Sequence, residues 1–84
     1  MTEMTTLERL TPVFRDVFDN DNIVATADLT AQKVSGWDSL TNVRLFVEIE
    51  RTFRIRFSAL EIGSLTSVGQ LADLIDSKIH SSAQ

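Results

Sequence analysis

GWDSLTNVRLFVEIERTF, residues 36–53, decides how this chain folds. At about 100° per residue, Leu45, Phe46, Ile49 and Phe53 fall on one side of a helix. Leu40, Val43 and Val47 gather on another side, and Glu50 lies between the two groups. A helix facing the core of a small bundle needs one apolar stripe about 100° wide or more, and the arc here is roughly twice that. The first stripe is therefore assigned to the core. The second meets either a covering loop or something outside the chain. Arg44, Arg51 and Arg54 stand beside it. An apolar strip rimmed by charge has the make-up of a docking surface.

The same stretch opens on Asp38-Ser39-Leu40. Asp38 is a good N-cap, which puts Ser39 at the first helical position. Backbone N–H groups there have no intrahelical partner, and the helix dipole is positive. Ser39 follows a glycine-containing loop and is expected to be exposed. A phosphate esterified to it would be well placed electrostatically. The plainer reading is that Asp38 or Ser39 is only a cap and that Trp37 is core. A nucleophilic serine would need a base. The single histidine, His80, sits in the C-terminal tail, so no catalytic residue is assigned.

Outward from this helix, two more segments carry a helical period. In TLERLTPVFRDVFDN, residues 6–20, Leu7, Leu10, Val13, Phe14, Val17 and Phe18 form one apolar face. Pro12 interrupts it and marks either a first turn or a kink. In SVGQLADLIDSKI, residues 67–79, Val68, Leu71, Ala72, Ile75 and Ile79 share a face, with Ser67 and Gln70 at capping-box spacing. Ser58 and Glu61 fit a second capping box and predict a single short helix between residues 54 and 65. FRIRF, residues 53–57, alternates like a strand but has no partner strand, and is read as a helix exit. The long connection from Asn20 to Trp37 is expected to be tied across the bundle by Ile23, Val24, Leu29 and Val34, because structureless loops of this length are unusual. HSSAQ, from residue 80, reads as a frayed tail. The helix count is thus three long and one short.

Composition narrows the function. Eighty-four residues make one domain, 1–84, with little volume for an enclosed active site. With no cysteine there is no disulfide frame, thiolate zinc site or cysteine nucleophile. Twelve acids against eight bases disfavour nucleic-acid binding, and Arg54 and Arg56 alone are too few for such a patch. DNDNIVATADLT begins like a calcium loop, but Val24 stands where glycine is needed and Thr30 where glutamate is, so no metal site is assigned. The N-terminus lacks the pattern of a signal peptide, and no apolar run approaches the roughly 20 residues needed to span a bilayer. A cytoplasmic monomer with no membrane insertion is expected.

GWDSL followed by TNVRLFVEIERTF, then IRFSALEIGSLTSVGQLADLI, resembles the acyl carrier proteins of fatty-acid and polyketide synthesis, from about Leu7 to Ile79. The resemblance implies an all-α four-helix bundle with a long loop between helices 1 and 2, in agreement with the helix count. It implies that Ser39 carries 4'-phosphopantetheine and that Asp38 belongs to the attachment motif. It also implies partners: a phosphopantetheinyl transferase and enzymes that load and transfer acyl groups. Leu40, Val43, Arg44, Val47, Glu50, Arg51 and Arg54 become the expected partner-binding face. In carriers that serve fatty-acid synthesis this helix is acidic. Here residues 38–57 hold three acids and four bases, and position 44, usually acidic in the family, is arginine. A specialised carrier with dedicated partners is therefore expected, in a lipid, polyketide or related pathway. The alternatives are an aminoacyl or peptidyl carrier of the same fold, or a small helical interaction domain without a prosthetic group.

Overall fold

The structure is a computed structural model that describes residues 5–82. Four helices follow one another: α1 (Thr6–Phe18), α2 (Ser39–Phe53), α3 (Ala59–Ser64) and α4 (Val68–Ser82). A short 3-10 turn, Ala31–Lys33, interrupts the long α1–α2 loop. Three long helices and one short one match the sequence count, and among the described residues there is no strand. The expectations that rest on residues 1–4 and 83–84 lie outside the described residues.

Each helix begins where a side chain can take up free N–H groups. At α1 the Thr5 hydroxyl accepts from the Glu8 N–H at 3.1 Å, and the Glu8 carboxylate accepts from the Thr5 N–H at 2.8 Å. That capping box sets the start of α1. Pro12 is therefore not in a first turn but inside the helix. It leaves the Glu8 carbonyl without its usual donor, and Pro12 lies on the exposed side, where water can serve. At α3, Ser58 and Glu61 form the expected box. At α4 the Ser67 hydroxyl accepts from the Gln70 N–H at 3.3 Å, while the Gln70 side chain reaches one residue further back, to the Thr66 N–H at 2.9 Å.

α1 packs against both α2 and α4. Leu10 and Phe14 of α1, Leu45 and Ile49 of α2, and Val68 and Ile75 of α4 are the fully buried centre. Ile62 and Leu65, from α3 and its end, pack on the same cluster from one side. Ile55 is buried and Phe57 stacks edge-on against Phe46, with ring centroids 5.1 Å apart. The alternation in FRIRF is thus the burial pattern of the exit from α2, where Phe53 ends the helix and Arg54 turns the chain with φ 58°.

The long loop is fastened by backbone groups as well as by apolar anchors. The Ile23 carbonyl accepts from Arg15 Nε at 2.8 Å, and the Thr11 hydroxyl of α1 accepts from the Ala25 N–H at 3.0 Å. The carbonyls of Leu29 and Ala27 accept from the Val68 and Gly69 N–H groups at 2.9 and 3.0 Å. The loop therefore supplies acceptors that the first turn of α4 cannot find within its own helix. Of the expected anchors, Ile23 and Val34 are buried and Leu29 is half-buried, but Val24 is 55% exposed. Ala25 takes the inward place, with its N–H held by the Thr11 hydroxyl. The tail also differs from expectation. α4 continues through His80 to Ser82, since no glycine or proline stops it and Ile79 still packs on the core.

Candidate functional site

α2 begins at the end of the long loop, and its first turn is tightly organised. Gly36 turns the chain with φ +87°, a conformation that other residues rarely adopt. The Asp38 carboxylate then accepts from the Thr41 N–H at 2.9 Å and from the Thr41 hydroxyl at 2.6 Å, and that hydroxyl accepts in turn from the Asp38 N–H at 3.3 Å. The Thr41 hydroxyl first, and then the Thr41 N–H, hold the Asp38 carboxyl below the ordinary value of 3.8. Asp38 is thus the N-cap, as its residue type predicts, with threonine in the place that glutamate takes in the usual box.

Ser39 is the first residue of α2 and is exposed. With Ala31, Trp37, Asp38 and Asn42 it lines a shallow concavity at the positive end of the helix. Trp37 is half-buried. Its ring meets Phe14 edge-on and Phe18 at a tilt, each with centroids 5.5 Å apart, and its N–H donates to Asn42 Oδ1 at 2.9 Å. Trp37 therefore ties the end of the loop to α1 and to the first turn of α2.

Beside this concavity lies a cavity of about 150 Å³ between the loop, α2, α3 and the start of α4. The two share Ala31, Trp37 and Asn42, and Phe46, Ile62 and Leu71 are among the residues lining the larger one. Thr30, Asn42, Thr66 and Ser67 add polar groups, so the lining is mixed and apolar mainly towards Phe46, Ile62, Leu65 and Leu71. Sequence reasoning found neither the cavity nor Asn42. The first depends on how three helix ends meet, and the second reads as one more polar position on α2.

The second stripe of α2 is not covered by the loop. Leu40 is 74% exposed, Val43 61% and Val47 45%, and Arg44, Arg51 and Arg54 are exposed as well. Leu60 of α3, missed in the sequence, is 83% exposed. Its signal was available, because Leu60 stands about 200° round the helix from Ile62, which packs on the core. Glu50 lies beside Val47, Arg51 and Arg54 around one surface concavity. It is half-buried, and its carboxylate accepts from the Phe57 N–H at 2.8 Å, which anchors the exit from α2. Arg51 reaches Glu48 at 3.4 Å across an exposed pair.

Among the described residues, no helix is long and apolar enough to cross a membrane. No protein-family model and no curated protein matches the chain. Among solved structures, it is similar to the solution NMR structure of a holo acyl carrier protein from Geobacter metallireducens. The two are 44% identical and superpose with a TM-score of 0.89, over 95% of this chain and 92% of that one.

Proposed function

The chain belongs to the acyl carrier protein family, and from that premise we propose that Ser39 is where a 4'-phosphopantetheine arm is attached. One observation carries the assignment: Ser39 is exposed at the first position of a helix whose cap is provided by its neighbour, Asp38. The residues fit a phosphodiester. The dipole end of α2 favours the negative charge, and the concavity around Ser39 leaves room for it. In the attachment step Ser39 Oγ attacks the pyrophosphate of coenzyme A. The Oγ–phosphorus bond forms, the bond to the adenosine bisphosphate breaks, and the hydroxyl proton passes to a base. Asp38 is turned to Thr41, so that base belongs to the transferase. When bound, the arm supplies a thiol that holds an acyl group as a thioester. The chain's own part is to position the arm, while partner enzymes perform the chemistry. The cavity beside Trp37 supports shelter for an apolar acyl group between encounters.

Family membership sets aside the small interaction domain without a prosthetic group. The basic balance of residues 38–57 supports dedicated partners in a specialised lipid, polyketide or related pathway. Loading from coenzyme A supports a cytoplasmic place of work. Intact mass of the protein isolated from its native host tests the proposal. Gain of the phosphopantetheine mass, mapped to the peptide that contains Ser39, is expected. Unmodified protein, or the arm on another residue, contradicts it.

A further inference from the structure

The basic residues of this chain divide into two groups. The chain has eight lysines and arginines in all. Four of them work inside the protein. The Arg9 guanidinium lies 4.3 Å over the Phe53 ring, and Arg15 bonds the Ile23 carbonyl. Lys33 donates to the Asp28 carbonyl at 3.2 Å and stands 3.8 Å from its carboxylate, and Lys78 pairs with Glu61 at 3.0 Å. The other four, Arg44, Arg51, Arg54 and Arg56, all fall on α2 and its exit. Among the described residues, no hydrogen bond, ion pair or ring contact engages the side chains of Arg44, Arg54 or Arg56. Arg51 has only its loose pair with Glu48, 75% and 39% exposed at the two side chains, and such pairs contribute little.

The spacing adds to this. Leu40, Arg44, Val47, Arg51 and Arg54 follow one another at steps of four and three, so they form one strip down the helix. It starts next to Ser39 and runs about 20 Å to the end of α2. At its far end Val47, Glu50, Arg51, Arg54, Ile55 and Arg56 surround a concavity, in which the Glu50 carboxylate already accepts from the Phe57 N–H and three arginines outnumber it. Guanidinium groups over an apolar floor suit a carboxylate that arrives with its own apolar neighbours.

We propose that this strip docks a protein partner which presents acidic groups opposite Arg44, Arg51 and Arg54, and apolar groups opposite Leu40, Val43 and Val47. The proposal rests on the carrier reading, since the strip begins at the arm's attachment point. Charge complementarity selects the occupant. A protein of net charge -4 has Arg44, Arg54 and Arg56, which no side-chain contact engages among the described residues, and the loosely paired Arg51 all on α2 and its exit, beside the exposed Leu40, Val43 and Val47.

The test is a titration of the isotope-labelled full chain, followed by NMR, with two helical peptides. Both carry Leu at the contact positions. One has Glu and the other Lys at i and i+7, the spacing of Arg44 and Arg51. The Glu peptide is expected to shift resonances of residues 40–56 and to lose affinity between low and about 1 M salt. Arg44→Glu combined with Arg51→Glu should weaken it about tenfold and let the Lys peptide bind instead. Equal binding of both peptides, binding elsewhere, or no binding overturns the proposal. Shifts of the same residues on raising the protein concentration alone would assign the strip to a second copy, and also overturn it. Arm transfer to the unaltered chain, read separately by intact mass, shows whether the carrier reading itself has failed.

Discussion

Trp37 shows how one residue positions the site without touching the chemistry. Its ring stacks with Phe14 and Phe18 while its N–H is held by Asn42. Trp37→Ala should lower stability by about 2–3 kcal/mol, less than a fully buried ring would, because Trp37 is half-buried. Trp37→Phe keeps the ring contacts and loses one hydrogen bond, at about 1 kcal/mol. Urea denaturation of the two variants checks both values, and an unchanged midpoint for Trp37→Ala would contradict the structural role. Gly69 is the second residue to test. A Cβ there would lie 2.8 Å from the Ala27 carbonyl oxygen, a backbone atom that cannot swing aside. Gly69→Ala should cost about 1–3 kcal/mol and loosen the loop from α4. Amide exchange at Val68 and residue 69 should speed up, and unaltered exchange would show that the loop docks by other means. Ser39 and Asp38 were legible in the sequence because capping is local chemistry. Gly69 was not, since its neighbour lies on a distant segment.

At the scale of the element, α2 starts on a carboxylate whose affinity for protons is lowered by folding. Thr41 hydrogen bonds hold the Asp38 carboxyl below its ordinary 3.8. The ionised cap therefore contributes fully above the unfolded value and is lost as pH falls through the lower, folded value. Glu61, held down by the Ser58 N–H and by Lys78, has the same sign. Stability should be level near neutral pH and fall below about pH 4. Asp38→Asn keeps a good cap without the charge, so its stability should fall less steeply over that range. Denaturation midpoints at neutral and acidic pH compare the two slopes. Identical slopes would show that Asp38 contributes nothing through its charge. All four helix starts carry local capping signals, and the Thr5–Glu8 box, set apart from the proline, is what fixes the start of α1. The end of α4 is not legible in HSSAQ, because its polar residues resemble a fraying end while Ile79 continues to pack. Apolarity alone does not make Val24 an anchor; Ala25, whose N–H the Thr11 hydroxyl holds, takes the inward place.

For the whole molecule, the fold was legible because three amphipathic periods, separated by loops, leave few ways to close a core of this size. The exposure of the second α2 stripe was legible as an excess of apolar arc. Whether the loop covered it could be decided only by where Ile23, Ala25 and Val34 are buried. The cavity beside Trp37 was not legible, because it exists only between elements far apart in sequence. Together these features describe a small scaffold with an exposed serine at a helix mouth, a partly apolar recess beside it and a basic strip leading away. The measurement that tests this account most directly is intact mass after incubation with coenzyme A and a broad-specificity phosphopantetheinyl transferase, for the unaltered chain and for Ser39→Ala. Alanine suits the first turn and Asp38 still caps it, so the variant should fold with the same helical circular dichroism. The account predicts that the unaltered chain gains one phosphopantetheine mass and that Ser39→Ala gains none. An unaltered chain that stays unmodified, or a folded Ser39→Ala variant that still takes up the arm, would contradict it.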